Sequence, residues 1–379
     1  MPIEMLPSYS LTIAINITIT ALYGTLIIWD WVQQPLMVRK NQIFNTMGLL
    51  AALALTQYFL AGYLYNMSQA KDWSIFGIEP LAPVFILLGV TPGTLALVFR
   101  IFWTKNTDEN RSVEDTIVNA AMKRATKAQQ DLLRKSVHII LFIAIFGIDI
   151  ISFFAIVGIF KDPSPIEIQR LRIWGFWSGE RYIIFAWIWE DWLGPYAVIA
   201  PSRIIVFGFL YCLQLVTLTC ELCRHSHKWH YIFEKPIASL LRPQERHRIG
   251  AYALFPAGFL VACIFLPYFG TIGLMAGWSL GDLTASQVGI RYGRYRFPHQ
   301  DKTWEGWLTG IIVTFIVAFP FTGFIWAGVI AIAFATIDLL TERPIPLSDN
   351  LLFPILSCIF LVGLETAGIS IAPIFLPLQ

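Results

Sequence analysis

The sequence predicts an all-α fold: a polytopic transmembrane helical bundle of about ten spans. Three observations carry that expectation. Of 379 residues, 56% are hydrophobic and only 14% are charged, against about 25% charged in an ordinary soluble domain. Apolar runs of about 20 residues, the length at which a helix crosses a bilayer, recur along the whole chain. Lys and Arg collect in alternate connecting segments, as the positive-inside rule requires of a multi-span protein.

The candidate spans are 9–29, 46–65, 81–103, 137–160, 196–220, 249–266, 269–289, 307–321, 323–340 and 351–371. The two runs either side of Pro320 also fit one kinked span, and 182–192 fits a short re-entrant or interfacial helix. The first run follows Glu4 with no basic segment before it and is long, so it reads as a retained span and not a cleaved signal peptide. Mean hydropathy is +0.63. The 14 Trp residues suit a protein with two membrane interfaces to line. Trp174, Trp177, Trp187, Trp189 and Trp192 crowd one such segment, an anchoring role without chemistry.

With the N-terminus outside, 21 of the 27 Lys and Arg fall on the inner side. Only Lys71, Lys161, Arg170, Arg172 and Arg181 fall outside, and Arg203 lies within a span. The basic loops therefore face the cytoplasm, where nucleotides are. Three inner segments are long enough to matter. Residues 104–136 hold a polar helix, with Ser112 and Asp115 at capping-box spacing and Met122–Leu133 rich in helix formers, and most of it reads as a solvated connector. Residues 224–248 are basic and His-rich, and 290–306 are basic with glycines. There is no internal repeat of the kind transporters show. Cys212, Cys220, Cys223, Cys263 and Cys358 sit mostly in apolar runs and do not resemble a disulfide framework. The run Cys220, Cys223, His225, His227, His230 has zinc-type ligands, but its spacing matches no closed structural site. Interfacial histidines are the expected reading.

The most informative stretch runs from Gly281 to Arg296 and on through Lys302 to Gly306. Asp282 lies in an apolar run, and an intramembrane acid is a functional candidate by default. After it come small residues and a glycine-punctuated basic loop containing Arg291 and Arg294, then Lys302 and Glu305. Glycines let backbone amides approach phosphate oxygens, cations supply charge, and a nearby carboxylate holds the Mg²⁺ that phosphates bring. Singly, Gly289 and Gly293 read equally well as a helix-packing pair and the arginines as a topology signal. Together with Asp282, Lys302 and Glu305 they favour a phosphate site at an inner interface.

This stretch closely resembles the signature of the CTP-dependent polyprenol kinase family, which includes dolichol, phytol and farnesol kinases and the yeast-type diacylglycerol kinase. The pattern is approximately Gly-Asp-x-x-Ala-Ser-x-x-Gly-x-x-x-Gly, then Lys-Ser-x-Glu-Gly. The chain supplies Gly281, Asp282, Ala285, Ser286, Gly289, Gly293, Lys302, Glu305 and Gly306, with Thr303 in place of the Ser. Arg134, Lys135 and His138 are similar to an Arg-Lys-x-x-His element. Arg242, Glu245 and Gly250 are similar to a segment before paired helices, and Asp349, Asn350 and Pro354 to an Asp-Asn element. The family's further acid upstream of Asp-Asn falls near both Asp338 and Glu342. The resemblance covers roughly 134–356 and divides the chain into 1–133, three spans and a connector, and 134–379, a catalytic domain.

The resemblance implies CTP as donor, Mg²⁺ or another divalent cation, and a membrane lipid alcohol as acceptor; no nucleic-acid partner is expected. It implies Asp282, Lys302 and Asp349 as catalytic residues. Asp282 and Asp349 would hold the metal or orient the hydroxyl. Ser286, Gly289, Arg291, Gly293, Arg294, Glu305 and Asn350 would hold the nucleotide. Arg134, Lys135, His138, Arg242 and Glu245 would line the same cytoplasmic mouth, although the first three equally suit an ordinary anchor at a helix entry and Arg242 and Glu245 a structural pair. Trp278, Trp304 and Trp307 fall near head-group level, where they suit a groove for the acceptor chain or, as the commoner case, interfacial belt positions. A cytidylyltransferase forming a CDP-lipid is the enzyme alternative, but Lys302-Thr303 lacks its Lys-Asp element. A transporter is the non-enzyme alternative.

Overall fold

The computed structural model describes residues 6–69, 125–159, 201–225, 249–298, 302–341, 347–369 and 371. These form nine α-helices: α1 (Leu6–Gln33), α2 (Leu36–Gln69), α3 (Lys127–Ile159), α4 (Pro201–His225), α5 (Ala251–Phe265), α6 (Tyr268–Tyr292), α7 (Trp304–Thr322), α8 (Phe324–Leu340) and α9 (Asp349–Thr366). A single bridge between Arg296 and Thr303 is the only β-pairing among the described residues. The candidate span 81–103, the Trp-rich segment, Arg242, Glu245, Glu342, His227 and His230 lie outside the described residues.

Among the described residues four helical segments are long and apolar enough to cross a membrane: Gln42–Leu60, Val206–Arg224, Trp304–Thr322 and Asp349–Thr366. Ala251–Phe265 and Phe324–Leu340 are apolar but shorter. The fold is thus all-helical and of membrane type. The runs either side of Pro320 are two helices and not one kinked span. Gly323 takes φ 79° between α7 and α8, a region open to glycine. The chain then turns back, so that Trp307 Nε1 of α7 donates to the Ala335 carbonyl of α8 at 3.0 Å.

The tightest packing joins α6 and α7 as an antiparallel hairpin. Gly273, Gly277, Gly281, Ala285 and Gly289 recur every four residues on α6. They face Gly306, Gly310, Thr314, Ala318 and Thr322, the buried residues of α7. Without bulky side chains the two backbones nearly touch, the usual way helices associate where lipid removes the hydrophobic drive. Thr314 Oγ1 donates across the seam to the Gly277 carbonyl at 3.1 Å. A Cβ on Gly306 would stand 2.4 Å from the Ala285 carbonyl oxygen and 3.0 Å from Gly289 Cα, both backbone atoms that cannot swing aside. Gly306→Ala is therefore expected to cost about 2–3 kcal/mol or more, the upper range for overpacking. Its thermal midpoint in detergent should fall well below wild type. Gly328→Ala, where nothing lies within 4 Å, should leave the midpoint unchanged, and equal midpoints for the two variants would contradict the packing argument.

Helices α1 and α2 share one hydrophobic core with α4, α5 and α9, through residues such as Tyr23, Leu49, Leu53, Leu215, Phe255 and Leu351. Polar ties reinforce this. Tyr23 hydrogen-bonds Thr219, and Gln57 Nε2 donates to Tyr211 Oη at 2.8 Å. The Asn45 and Gln42 side chains accept from the backbone amides of Ser348 (2.8 Å) and Ile249 (3.0 Å). Helix α3 begins at Lys127 and runs unbroken past residue 134.

These contacts sort the helix ends. The ends of α1, α4, α6 and α8 and the starts of α2, α3, α5, α7 and α9 gather at one end of the bundle. Every described Lys and Arg stands there except Arg203, which is in the first turn of α4. The four ion pairs among the described residues stand there too.

Candidate functional site

The site grows from the antiparallel contact of α3 with α6. Gln287 Nε2 donates to the Ala128 carbonyl at 3.0 Å. One turn along, the Ser286 hydroxyl donates to Asp131 Oδ2. One turn further, the Lys135 ammonium donates to Asp282 Oδ1 at 2.6 Å and to the carbonyl of the same residue at 2.8 Å. The last two rungs follow from four-residue spacing, which puts Asp131 and Lys135 on one face of α3 and Asp282 and Ser286 on one face of α6. Arg134 turns to its own helix and pairs with Asp131 at 2.7 Å. His138 is buried, stacked on Phe255 at 4.5 Å and 7°, and its Nδ1 makes no hydrogen bond among the described residues.

A second pair repeats the first. Lys302, just before α7, donates to the Asp338 carbonyl and to Asp338 Oδ1 at 2.8 Å. Asp338 lies near the C-terminus of α8, where carbonyls lack partners within the helix, so a lysine both caps the helix and neutralises the carboxylate. Of the two acids open in the sequence, Asp338 is the one the described structure places, and it is buried.

Between these pairs runs the basic loop. Glu305 accepts from the backbone amides of Arg294 (2.9 Å) and Tyr295 (3.2 Å). The bonds Phe297 N–H to Lys302 O (3.0 Å) and Trp304 N–H to Tyr295 O (2.9 Å) close a small hairpin. Thr303 caps α7, its hydroxyl accepting from the Gly306 amide at 3.3 Å, which explains why a Thr serves where a Ser is usual. Arg291 stands in the last turn of α6 and not in the loop, because the helix runs on to Tyr292; Arg291, Arg294 and Arg296 are all exposed. Gly289 and Gly293 serve packing here. A Cβ on Gly289 would meet Thr303 Oγ1 at 2.9 Å, and one on Gly293 would meet the Gly289 carbonyl at 2.4 Å.

The Asp-Asn element opens α9. Asp349 Oδ1 accepts from the Asn350 amide at 2.8 Å and from its Nδ2 at 3.1 Å. Asn350 Oδ1 accepts from Trp278 Nε1 at 3.2 Å. Trp278 is fully buried and stacked on Phe353. It is therefore a core residue that orients Asn350, and the expectation of an interfacial belt position is corrected: its N–H needed a partner when buried, and Asn350 supplies it. Trp304 does stay half-exposed, edge-on to Trp307.

Among the described residues no three His, Cys, Asp or Glu side chains converge as a closed metal site. The donor chemistry nonetheless fits a hard cation. The Lys135 ammonium is held by a carboxylate oxygen and a carbonyl oxygen, the ligand types Mg²⁺ prefers, and Mg²⁺ commonly takes one or two carboxylates and completes its shell with phosphate and water.

Compared with known proteins, the chain is 34% identical over 210 residues to a phytol kinase of Synechocystis sp., an alignment covering 51% of this chain and 77% of that protein. The chain belongs to the phytol and polyprenol kinase family. No protein-family model matches it, and no solved structure does.

Within this kinase-family chain, sequence reasoning missed two acids. Asp131 is buried between Arg134 and Ser286, and its signal was the i, i+3 and i, i+4 spacing to Arg134 and Lys135. Glu221 is buried near the end of α4, pairs with Arg224 and accepts the Gly250 amide at 3.0 Å. That bond ties α4 to the start of α5, where the sequence singled out Gly250 but no partner for it.

Proposed function

We propose that this kinase transfers the γ-phosphate of CTP to the terminal hydroxyl of a membrane isoprenoid alcohol, of the polyprenol, dolichol, phytol or geranylgeraniol type, at the cytoplasmic face of a ten-span bundle. The observation that carries the reading is the Lys135–Asp282 pair at the polar end of the bundle, on the same helix as Arg291, which stands in the last turn of α6 before the loop with Arg294. An acid that binds a cation and a loop that binds phosphate then face the same aqueous mouth, while the acceptor's chain stays in lipid. Diacylglycerol is the related acceptor the same chemistry would accept.

In the proposed reaction the alcohol oxygen forms a bond to the γ-phosphorus and the bond from that phosphorus to the bridging oxygen breaks. CDP leaves, and the hydroxyl proton passes to a carboxylate or to water. Such transfer is mostly positioning and charge neutralisation. Asp282 and Asp349 hold Mg²⁺ or orient the hydroxyl. Lys302, Arg291 and Arg294 neutralise the triphosphate. Ser286, Asn350 and Glu305 orient the nucleotide, Glu305 by fixing the loop amides. Gly289 and Gly293 let that loop fold close to α7. Arg134, Lys135, Arg242 and Glu245 complete the mouth, with His138 packed behind it against Phe255. Bound Mg²⁺ would supply charge at the β- and γ-phosphates.

Purified full-length protein with Mg²⁺, a panel of lipid alcohols and labelled CTP tests this. Label at the γ position is expected to appear in the lipid, and label at the α position is not. α-label in the lipid would instead mark a cytidylyltransferase, and no lipid label with any acceptor would overturn both.

A further inference from the structure

We propose that Lys135 and Lys302 are built-in counterions, each holding the cation position of an aspartate until a metal-bound triphosphate arrives, so that divalent cation and nucleotide enter together. The proposal rests on the phosphate-site reading above and adds to it how the site is kept closed to free metal.

The same small device is built twice. In each case an ammonium reaches from another element and is chelated by two oxygens of one aspartate, the carboxylate and that residue's own carbonyl. Lys135 spans 147 positions to Asp282, and Lys302 spans 36 to Asp338. Neither carboxylate faces bulk water: their side chains are 16% and 9% exposed. Chelation by a carboxylate and a carbonyl oxygen is hard-cation coordination, with an ammonium in the cation's place. A buried carboxylate needs such a partner, because an unpaired charge there is costly.

The exchange follows from charge. A free divalent ion entering at Asp282 must part the pair and leave an ammonium unpaired beside a second positive charge. A metal–triphosphate carries net negative charge and offers each released lysine a phosphate oxygen. Lys135 and Lys302 then change partners without either being stranded, and the side chains that guarded the carboxylates become phosphate ligands. Nothing in this step breaks a covalent bond.

The readout is Mn²⁺ binding to purified full-length protein in detergent, followed by electron paramagnetic resonance without nucleotide. Lys135→Gln is expected to bind Mn²⁺ at least about tenfold more tightly than wild type, the scale of removing one unit charge a few ångströms from a cation in a partly wet site. Adding Asp282→Asn to that variant should abolish the gain. Lys302→Gln should show the same gain, lost with Asp338→Asn. Unchanged affinity in both lysine variants overturns the proposal, as does a gain that survives loss of the aspartate. If one lysine variant fails to give monodisperse protein, the other pair decides. The binding result is separate from lipid labelling. Tighter Mn²⁺ with no labelled lipid would keep the exchange and remove the kinase reading. Labelled lipid with unchanged Mn²⁺ affinity would do the reverse.

Discussion

Asp282→Asn is expected to lower the rate of lipid phosphate formation from γ-labelled CTP by at least about a hundredfold, the scale of losing one preorganised electrostatic contact. The substitution is nearly isosteric. The asparagine keeps a carbonyl-type oxygen toward Lys135, and the Lys135 bond to the main-chain carbonyl of residue 282 does not depend on the side chain. Packing on α6 should therefore survive, and the thermal midpoint should fall far less than the rate. What the variant loses is a full negative charge at a position 16% exposed, where water screens it incompletely. If the carboxylate binds the cation, the KM for metal–nucleotide rises and kcat falls together. If the carboxylate only anchors α3 to α6, the midpoint falls and the rate per folded molecule stays. A wild-type rate removes Asp282 from the mechanism.

How much of this was legible depends on how local each signal is. Apolar runs are local, so helices were expected where α1 to α9 stand. Asp282 was legible for the same reason: a carboxylate in an apolar run is an anomaly that needs a partner. The partner was not legible, because Lys135 lies 147 positions away and only the antiparallel docking of α3 on α6 brings the two together. Asp131 was lost because the polar helix expected up to Leu133 read as a solvated connector apart from the span 137–160, whereas α3 runs unbroken from Lys127 and its first turns carry the ladder to Ser286. The glycines at 289 and 293 had two explanations at equal spacing, and the atoms they meet, Thr303 and Gly306, show packing at work. Trp278 looked interfacial because its neighbours in sequence are near an interface. Burial by α8 and α9, through Phe334 and Phe353, is a long-range fact. Asp338 likewise owes its partner to Lys302, which lies on another element.

Lys302→Ala is expected to reduce the rate by at least about a hundredfold as well, but for two separable reasons. The ammonium holds Asp338, whose carboxylate is buried, and in the proposed reaction it neutralises the triphosphate. Alanine removes both functions and leaves a buried carboxylate uncompensated, which destabilises more than the lost bond alone. Lys302→Ala combined with Asp338→Asn separates them. If Lys302 acts only by holding Asp338, the double variant has no stranded charge, and both the thermal midpoint and the rate should recover toward wild type. If Lys302 meets the phosphates, the midpoint should recover while the rate stays at least about a hundredfold down. The second outcome is the expected one, because Lys302 is 27% exposed while its partner is 9% exposed. The ammonium thus stands on the solvent side of the pair, where a nucleotide entering from the polar end of the bundle would reach it first.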